Sequence, residues 1–220
     1  MRATNPRRVL SSGPMRIHVL DHPLLQETMA RLRDRDAPCD DFRMLAHRVS
    51  LLLTVEATRD LPWIEGTVET PMETAAVRRL AARVVAVPVL RAGLGMLGAF
   101  LDLVPSAQVG YFGLERDEAT AIARRYYEKV PTDLSDAYVF LLDPMLATGG
   151  SAAMAAEGLR ERGAHRVRFL SIVAAPEGVE RLAEAAPDAE IYTAALDRGL
   201  DEHKYVLPGL GDFGDRLYCT

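Results

Sequence analysis

After Pro71 short apolar runs alternate with stretches of helical spacing, and this alternation restricts the available folds more than any other feature. Val84 to Leu90 is a β-rich run, and strands are expected again near Val109 to Leu114, Tyr138 to Leu142, Val167 to Ala174 and Ile191 to Ala195. Helices are expected at Glu73 to Ala82, Gly95 to Leu103, Gly150 to Arg162 and Glu177 to Ala186. Short apolar strands separated by helices make a parallel sheet covered on both faces, an α/β fold. In such sheets a ligand binds beyond the carboxyl ends of the strands.

Upstream, apolar residues recur at helical spacing in two runs, Leu24, Leu25, Met29, Leu32 and then Phe42, Leu45, Val49, Leu52, Leu53. Ala37-Pro38 breaks the first run, and Asp40 and Asp41 are expected to cap the second. Residues 1–14 contain three arginines, Pro6, Ser11, Ser12 and Gly13 but no apolar h-region, and read as a flexible extension. Residues 15–220 are expected to form a single domain.

The net charge of -5 argues against a broad nucleic-acid surface, so an anionic ligand must be held by a few placed groups. No apolar run reaches the roughly 18 residues of a membrane-spanning helix. Cys39 and Cys219 are the only cysteines, too few for a disulfide framework and without metal-ligand spacing. A single cross-link between them stays open, with reduced thiols in a cytoplasmic protein the expected state.

The segment most informative about chemistry is Val139 to Ser151, VFLLDPMLATGGS. A buried strand ends in an acid, and a loop with Thr-Gly-Gly-Ser opens a helix. Glycines let the backbone approach an anion, and amides of the first helical turn point at it with the helix dipole behind them. Thr148 and Ser151 add hydroxyl donors. Asp143 suits a ligand that also presents hydroxyls, so the segment reads as a cradle for ribose 5-phosphate. The plainer alternative is a strand–turn–helix in which Asp143 and Thr148 only cap the helix. No lysine follows the glycines, so this is not a Walker loop.

Gly93 to Gly98 fits G-x-G-x-x-G, the pattern of dinucleotide-dependent oxidoreductases. Arg91 and Ala92 separate it from the preceding strand, and Pro88 interrupts that strand. Gly93 is more simply a place where the backbone turns and a helix packs.

The loop DPMLATGGS, Asp143 to Ser151, resembles the 5-phosphoribosyl-1-pyrophosphate (PRPP) loop of the uracil phosphoribosyltransferases, a branch of the type I phosphoribosyltransferases. EATRDLPW (Glu56 to Trp63), VPVLRAGLGM (Val87 to Met96), VAAPEGV (Val173 to Val179) and LPGLGDFGDR (Leu207 to Arg216) are similar to family segments in the same order. The resemblance runs from about His22 to the C-terminus. It implies a mainly parallel sheet with flanking helices, an N-terminal helical segment and a C-terminal loop hooding the base.

It further implies transfer of the phosphoribosyl group of PRPP to uracil, giving UMP and pyrophosphate. The implied PRPP contacts are Arg91, Arg116, Asp212 and the loop Asp143, Pro144, Met145, Leu146, Ala147, Thr148, Gly149, Gly150 and Ser151. Asp143, Arg116 and Asp212 are the implied catalytic residues, while Val206, Gly211, Asp212 and Phe213 contact uracil. Guanidinium groups at Arg91 and Arg116 suit a departing pyrophosphate, whose charge grows in the transition state. Arg124, Arg125 and Lys129 lie in a segment able to form a lid and are assigned no contact. Mg2+ is expected as cofactor, bound mainly through PRPP and water with no protein ligand set. A homodimer or homotetramer is implied, with GTP activating some members.

Uracil offers an acceptor–donor–acceptor edge that peptide groups can match, which suits a C-terminal stretch poor in hydrogen-bonding side chains. Two departures stand out: Phe213 where the family usually has a small residue, and Cys219 where glycine is usual. A ring pointing inward would crowd the base, and one pointing outward would leave catalysis alone. Another nucleobase as substrate, or a PRPP-sensing regulator without turnover, are the alternatives.

Overall fold

The structure is a computed structural model that describes residues 7–11, 15–116 and 123–220, with the backbone alone for 7–11, 115–116 and 123. In chain order come β1 (Arg7–Ser11), β2 (Arg16–Leu20), α1 (Pro23–Arg33), α2 (Cys39–Ala57), β3 (Trp63–Glu69), β4 (Thr74–Leu80), β5 (Arg83–Leu90) and α3 (Leu94–Leu103). Then follow β6 (Gln108–Val109), β7 (Tyr111–Arg116), β8 (Ala123–Lys129), β9 (Ala137–Leu142), β10 (Met145–Leu146) and α4 (Gly150–Arg160). The last elements are β11 (Arg166–Ala174), α5 (Pro176–Ala185), β12 (Glu190–Leu196), β13 (Gly199–Leu200), β14 (Val206–Leu207) and α6 (Phe213–Tyr218).

Among the described residues, the main sheet has the order β1-β2-β12-β11-β9-β5-β7-β8, with β10 beside β11 and β6 beside β5. Pairing is parallel from β2 to β7 and antiparallel at the two edges. Side-chain alternation along the central strands separates two apolar layers. Val84, Ala86, Phe140 and Leu142 face α1, α2, α3 and α6, meeting Leu32, Phe42, Val49, Phe100 and Leu217. Val85, Val87, Val139 and Leu141 face α4 and α5, meeting Ala155, Leu159 and Leu182. Burial on both faces explains why β5 from Val84 onward and β9 read as continuous apolar runs, and why β11 is mostly apolar between Val167 and Ala174.

Where α2 ends, Arg168 of β11 reaches its last turn. The guanidinium donates to the Ala57 carbonyl and pairs with Asp60, Nη1 to Oδ1 at 2.8 Å. A cation there complements the helix dipole and ties the Glu56 to Trp63 segment to the sheet.

Four expectations are corrected. Glu73 to Ala82 is not a helix: β4 occupies Thr74–Leu80 and forms a hairpin with β3, a two-stranded sheet apart from the main one. Alanine and arginine gave the stretch helical propensity, but the Thr70 hydroxyl accepts the amides of Met72 and Glu73 and turns the chain back. Residues 7–11, read as part of a flexible extension, pair with β2 as an edge strand; 1–6 and 12–14 lie outside the described residues.

Asp40 and Asp41 sit inside the first turn of α2, favourable to its dipole, while Pro38 holds the N-cap position without a side-chain bond. Finally, Cys39 and Cys219, expected as reduced thiols, form a disulfide with Cα atoms 6.0 Å apart. Arg43 Nε donates to the Leu217 carbonyl at 2.7 Å, bringing the chain's end onto the start of α2.

Candidate active site

Beyond the carboxyl end of β9 the chain enters the loop at Asp143. Its amide donates to the Leu170 carbonyl at 3.2 Å, and its Oδ1 accepts the Met145 amide at 3.3 Å. β10 then pairs with the end of β11, Leu146 opposite Ala174, so the loop is held as an extension of the sheet. Gly149 adopts φ 75°, and α4 begins at the next residue. A Cβ at Gly149 would lie 2.6 Å from the Gly178 carbonyl oxygen, and one at Gly178 would lie 2.5 Å from the Ala147 carbonyl oxygen. The Ala174 to Val179 turn therefore packs directly beneath the loop, and neither contact admits a side chain. The first amides of α4 have no carbonyl four residues back within a helix, and Ser151 in that first turn lines the adjoining cleft.

A cleft of about 370 Å3 opens between this loop and the C-terminal segment. Asp143, Met145, Ala147 and Ser151 line one side, and Val206, Gly211, Asp212 and Phe213 line the other. Eight of the expected site residues thus meet around one space, although some sixty residues separate the two groups in the chain. Asp212 caps α6, its Oδ1 accepting the Asp215 amide at 2.9 Å.

Among the described side chains, no other expected residue lines the cleft. Pro144 and Leu146 are buried, with the Pro144 carbonyl accepting the amides of Ile172 and Val173 and Leu146 in the layer of α4 and α5. Thr148, Gly149 and Gly150 lie further along the loop where α4 starts. Arg91 follows β5, the neighbour of β9, and is exposed; its carbonyl accepts the Tyr218 hydroxyl at 3.2 Å. Arg116 is the last residue of β7, opposite Ala123, and its side chain lies outside the described residues. Arg124, Arg125 and Lys129 belong to β8, which returns antiparallel along β7. Glycine at Gly93 is required by packing, since a Cβ there would stand 2.3 Å from the Leu142 carbonyl oxygen. That close approach of the turn after β5 to the end of β9 accounts for the first glycine of the G-x-G-x-x-G pattern.

His203, Lys204 and Tyr205 also line the cleft and were not anticipated. The Asp201 carboxylate accepts the amides of His203 at 2.9 Å and Tyr205 at 2.8 Å, and Lys204 adopts φ 68°. Aspartate ahead of such a turn is the available sequence signal, but it does not tell which way the turn faces.

Phe213 is 1% exposed and packs against Phe42 with ring centroids 5.3 Å apart. Its ring is part of the layer between the sheet and α2, α3 and α6, while the residue borders the cleft from beneath.

Comparison with known proteins agrees with this geometry. The family model for uracil phosphoribosyltransferase matches residues 19–220. A uracil phosphoribosyltransferase of Pediococcus pentosaceus is 48% identical over 206 residues, 93% of this chain and 99% of the relative. One from Lactococcus lactis is 47% identical over 208 residues, again 93% and 99%. Among solved structures, the AQ2163 protein from Aquifex aeolicus superimposes with a TM-score of 0.88 at 36% identity, covering 93% of this chain and 98% of that one. With the cleft formed by the loop after β9 and the C-terminal segment, these matches place the chain in the uracil phosphoribosyltransferase family.

Proposed function

We propose that this protein transfers the 5-phosphoribosyl group of PRPP to N1 of uracil, releasing pyrophosphate and forming UMP, a step of pyrimidine salvage. The observation that carries the reading is the cleft itself, which has a helix N-terminus and Asp143 on one side and a loop rich in peptide groups on the other. Amides of the loop after β9 would hold the 5-phosphate, and Asp143 would orient the ribose hydroxyls. Asp212, Val206 and Gly211 would place the base. Arg91 and Arg116, at the ends of β5 and β7, would meet the pyrophosphate once PRPP bridges from the cleft toward the neighbouring strand ends. Phe213, packed into the core, favours a role in supporting the hood over one in altering base choice.

In the reaction the C1–O bond to pyrophosphate breaks as uracil N1 bonds to C1 from the opposite face, inverting C1, and the N1 proton passes to water or to the departing pyrophosphate. Much of the acceleration would come from holding the two reactants in line. Asp143, Asp212 and Ser151 provide hard oxygen donors suited to Mg2+, and no cluster of three His, Cys, Asp or Glu exists among the described residues. PRPP and water would supply most of the shell, with these residues able to add to it. When bound, the ion neutralises charge on the leaving pyrophosphate.

Residues 15–220 would act as one domain. Self-association as a homodimer or homotetramer is supported by the β3–β4 hairpin, which exposes Trp63, Ile64, Met72 and Leu80. GTP activation rests on the family resemblance, and titrating GTP into the assay below tests it. No helix among the described residues is long and apolar enough to cross a membrane, and a cytoplasmic location fits an enzyme drawing on PRPP.

The test is incubation of the purified protein with PRPP, Mg2+ and each common nucleobase in turn, following pyrophosphate release. Turnover is expected with uracil. Turnover with hypoxanthine but not uracil would overturn the assigned base, and none with any base would overturn the reaction.

A further inference from the structure

The loop carrying the candidate base contacts is fastened from behind by an ion pair that touches no part of the cleft. Asp197 directly follows β12 and is 8% exposed. Arg33, the last residue of α1, meets it with both terminal nitrogens, Nη1 to Oδ2 at 2.8 Å and Nη2 to Oδ1 at 2.7 Å. Both polar groups of Gly209 close on the same pair. Its amide donates to Asp197 Oδ2 at 2.9 Å, and its carbonyl accepts from Arg33 Nη1 at 2.6 Å. Gly209 has φ 58°, and a Cβ there would stand 2.1 Å from the Val206 carbonyl oxygen. The turn between Val206 and Gly211 is thus tight, and its shape depends on partners outside it.

Asp197 is itself anchored, its amide donating to the Ala174 carbonyl at 2.8 Å. Ala174 is the residue of β11 that pairs with Leu146 in the loop after β9. The two sides of the cleft are therefore referenced to one strand end, with Asp197 as the link. A largely desolvated ion pair of this kind contributes little net stability against apolar packing, but it admits only one geometry.

We propose that Arg33 and Asp197 are positioning residues for the nucleobase: the pair sets where Val206 and Gly211, on either side of Gly209, stand relative to the sugar-phosphate loop. The proposal rests on the assigned reaction, and it predicts a split between the two substrates. Loss of the pair moves the hood and leaves the loop after β9, which is held by β11, in place. Displacement of such groups by about an ångström costs on the order of a hundredfold.

The experiment measures kcat and both KM values for the wild-type protein and for Arg33→Met, Arg33→Lys and Asp197→Asn. Arg33→Met should raise the KM for uracil about 10- to 100-fold while the KM for PRPP changes less than about 3-fold. Arg33→Lys should recover only part of the loss, because one ammonium cannot engage both carboxylate oxygens and the Gly209 carbonyl as a planar fork does. An unchanged KM for uracil, or equal rises for both substrates, in a folded variant overturns the proposal. Absence of turnover in the wild-type protein would instead overturn the assigned reaction, a separate result of the same measurements. Should Arg33→Met fail to fold, Asp197→Asn, which keeps the shape and an acceptor for Gly209, is read by the same criterion. If neither folds, amide exchange in the wild-type protein decides. Protection of residues 206–212 comparable to β11 supports the latch, and exchange as fast as at exposed Glu202 overturns it.

Discussion

Replacing Gly149 by alanine tests whether the loop after β9 has the close packing the site needs. Gly149 holds φ 75°, and an added Cβ would lie 2.6 Å from the Gly178 carbonyl oxygen and 2.9 Å from Arg181 Cβ. The left-handed backbone costs an alanine about 1–2 kcal/mol, offset by about 0.4–1 kcal/mol through its stiffer unfolded chain. Overpacking against backbone adds about 1–3 kcal/mol, for a net loss of roughly 2–4 kcal/mol. For a chain of this size that lowers Tm by about 4–16 °C. Relief requires the start of α4 to move away from α5, carrying Thr148 to Ser151 with it, so the KM for PRPP should rise about tenfold or more. Thermal melts and initial rates at varied PRPP measure both effects. Gly98→Ala is the control: Gly98 lies in α3 with nothing within 4 Å of an added Cβ, and the change should be neutral or slightly stabilising. A Gly149→Ala protein that melts and turns over like Gly98→Ala would refute the argument that this loop is shaped by contact with α5.

Phe213→Ala should cost about 3–5 kcal/mol, from the loss of a buried ring packed on Phe42, and leave uracil the preferred base. A switch of base in the pyrophosphate-release assay would show instead that the ring acts on the substrate. Arg116→Ala should lower kcat/KM about 100- to 1,000-fold with an unchanged melting curve, and normal kinetics in that variant would remove the residue from the reaction. Glu190 is held down at about 2 by the imidazole of His18 (Nε2 to Oε2, 3.6 Å), the Tyr192 hydroxyl and the Arg168 guanidinium, with Arg16 beside it. Because the folded value lies below the unfolded one, its stabilisation is present above about pH 4.5 and is lost as pH falls toward 2. Discounted for partial exposure, the loss is about 1–2 kcal/mol. Denaturant titrations should show it between those pH values in the wild-type protein and not in Glu190→Gln.

Elements buried on both faces were readable because their signal is local. Val84 to Leu90 and Tyr138 to Leu142 are continuous apolar runs, and Val167 to Ala174 is apolar but for Arg168 and Ser171, as a strand covered on both faces demands. Glu73 to Ala82 reads as a helix, and not as β4 of a hairpin with β3, because that hairpin has no such demand. Its residues are mostly exposed or half-buried, so propensity was the only cue, and the turn at Thr70 outweighed it. His203 to Tyr205 were overlooked for a related reason: the direction in which an exposed turn faces depends on what the hood is fastened to. Arg33 and Asp197 read as ordinary charges until the fold brings together residues 164 positions apart.

The chain's own residue order was enough to specify a mainly parallel sheet, its two apolar layers and the strand–loop–helix at Asp143 to Ser151, because each depends on neighbours a few positions away. Family resemblance supplied the reaction. Folding alone decided that the C-terminal segment closes over that loop, that Phe213 turns into the core and that Cys39 meets Cys219. Contacts between distant segments leave no periodic trace in the chain, since their partners are chosen by packing and not by spacing.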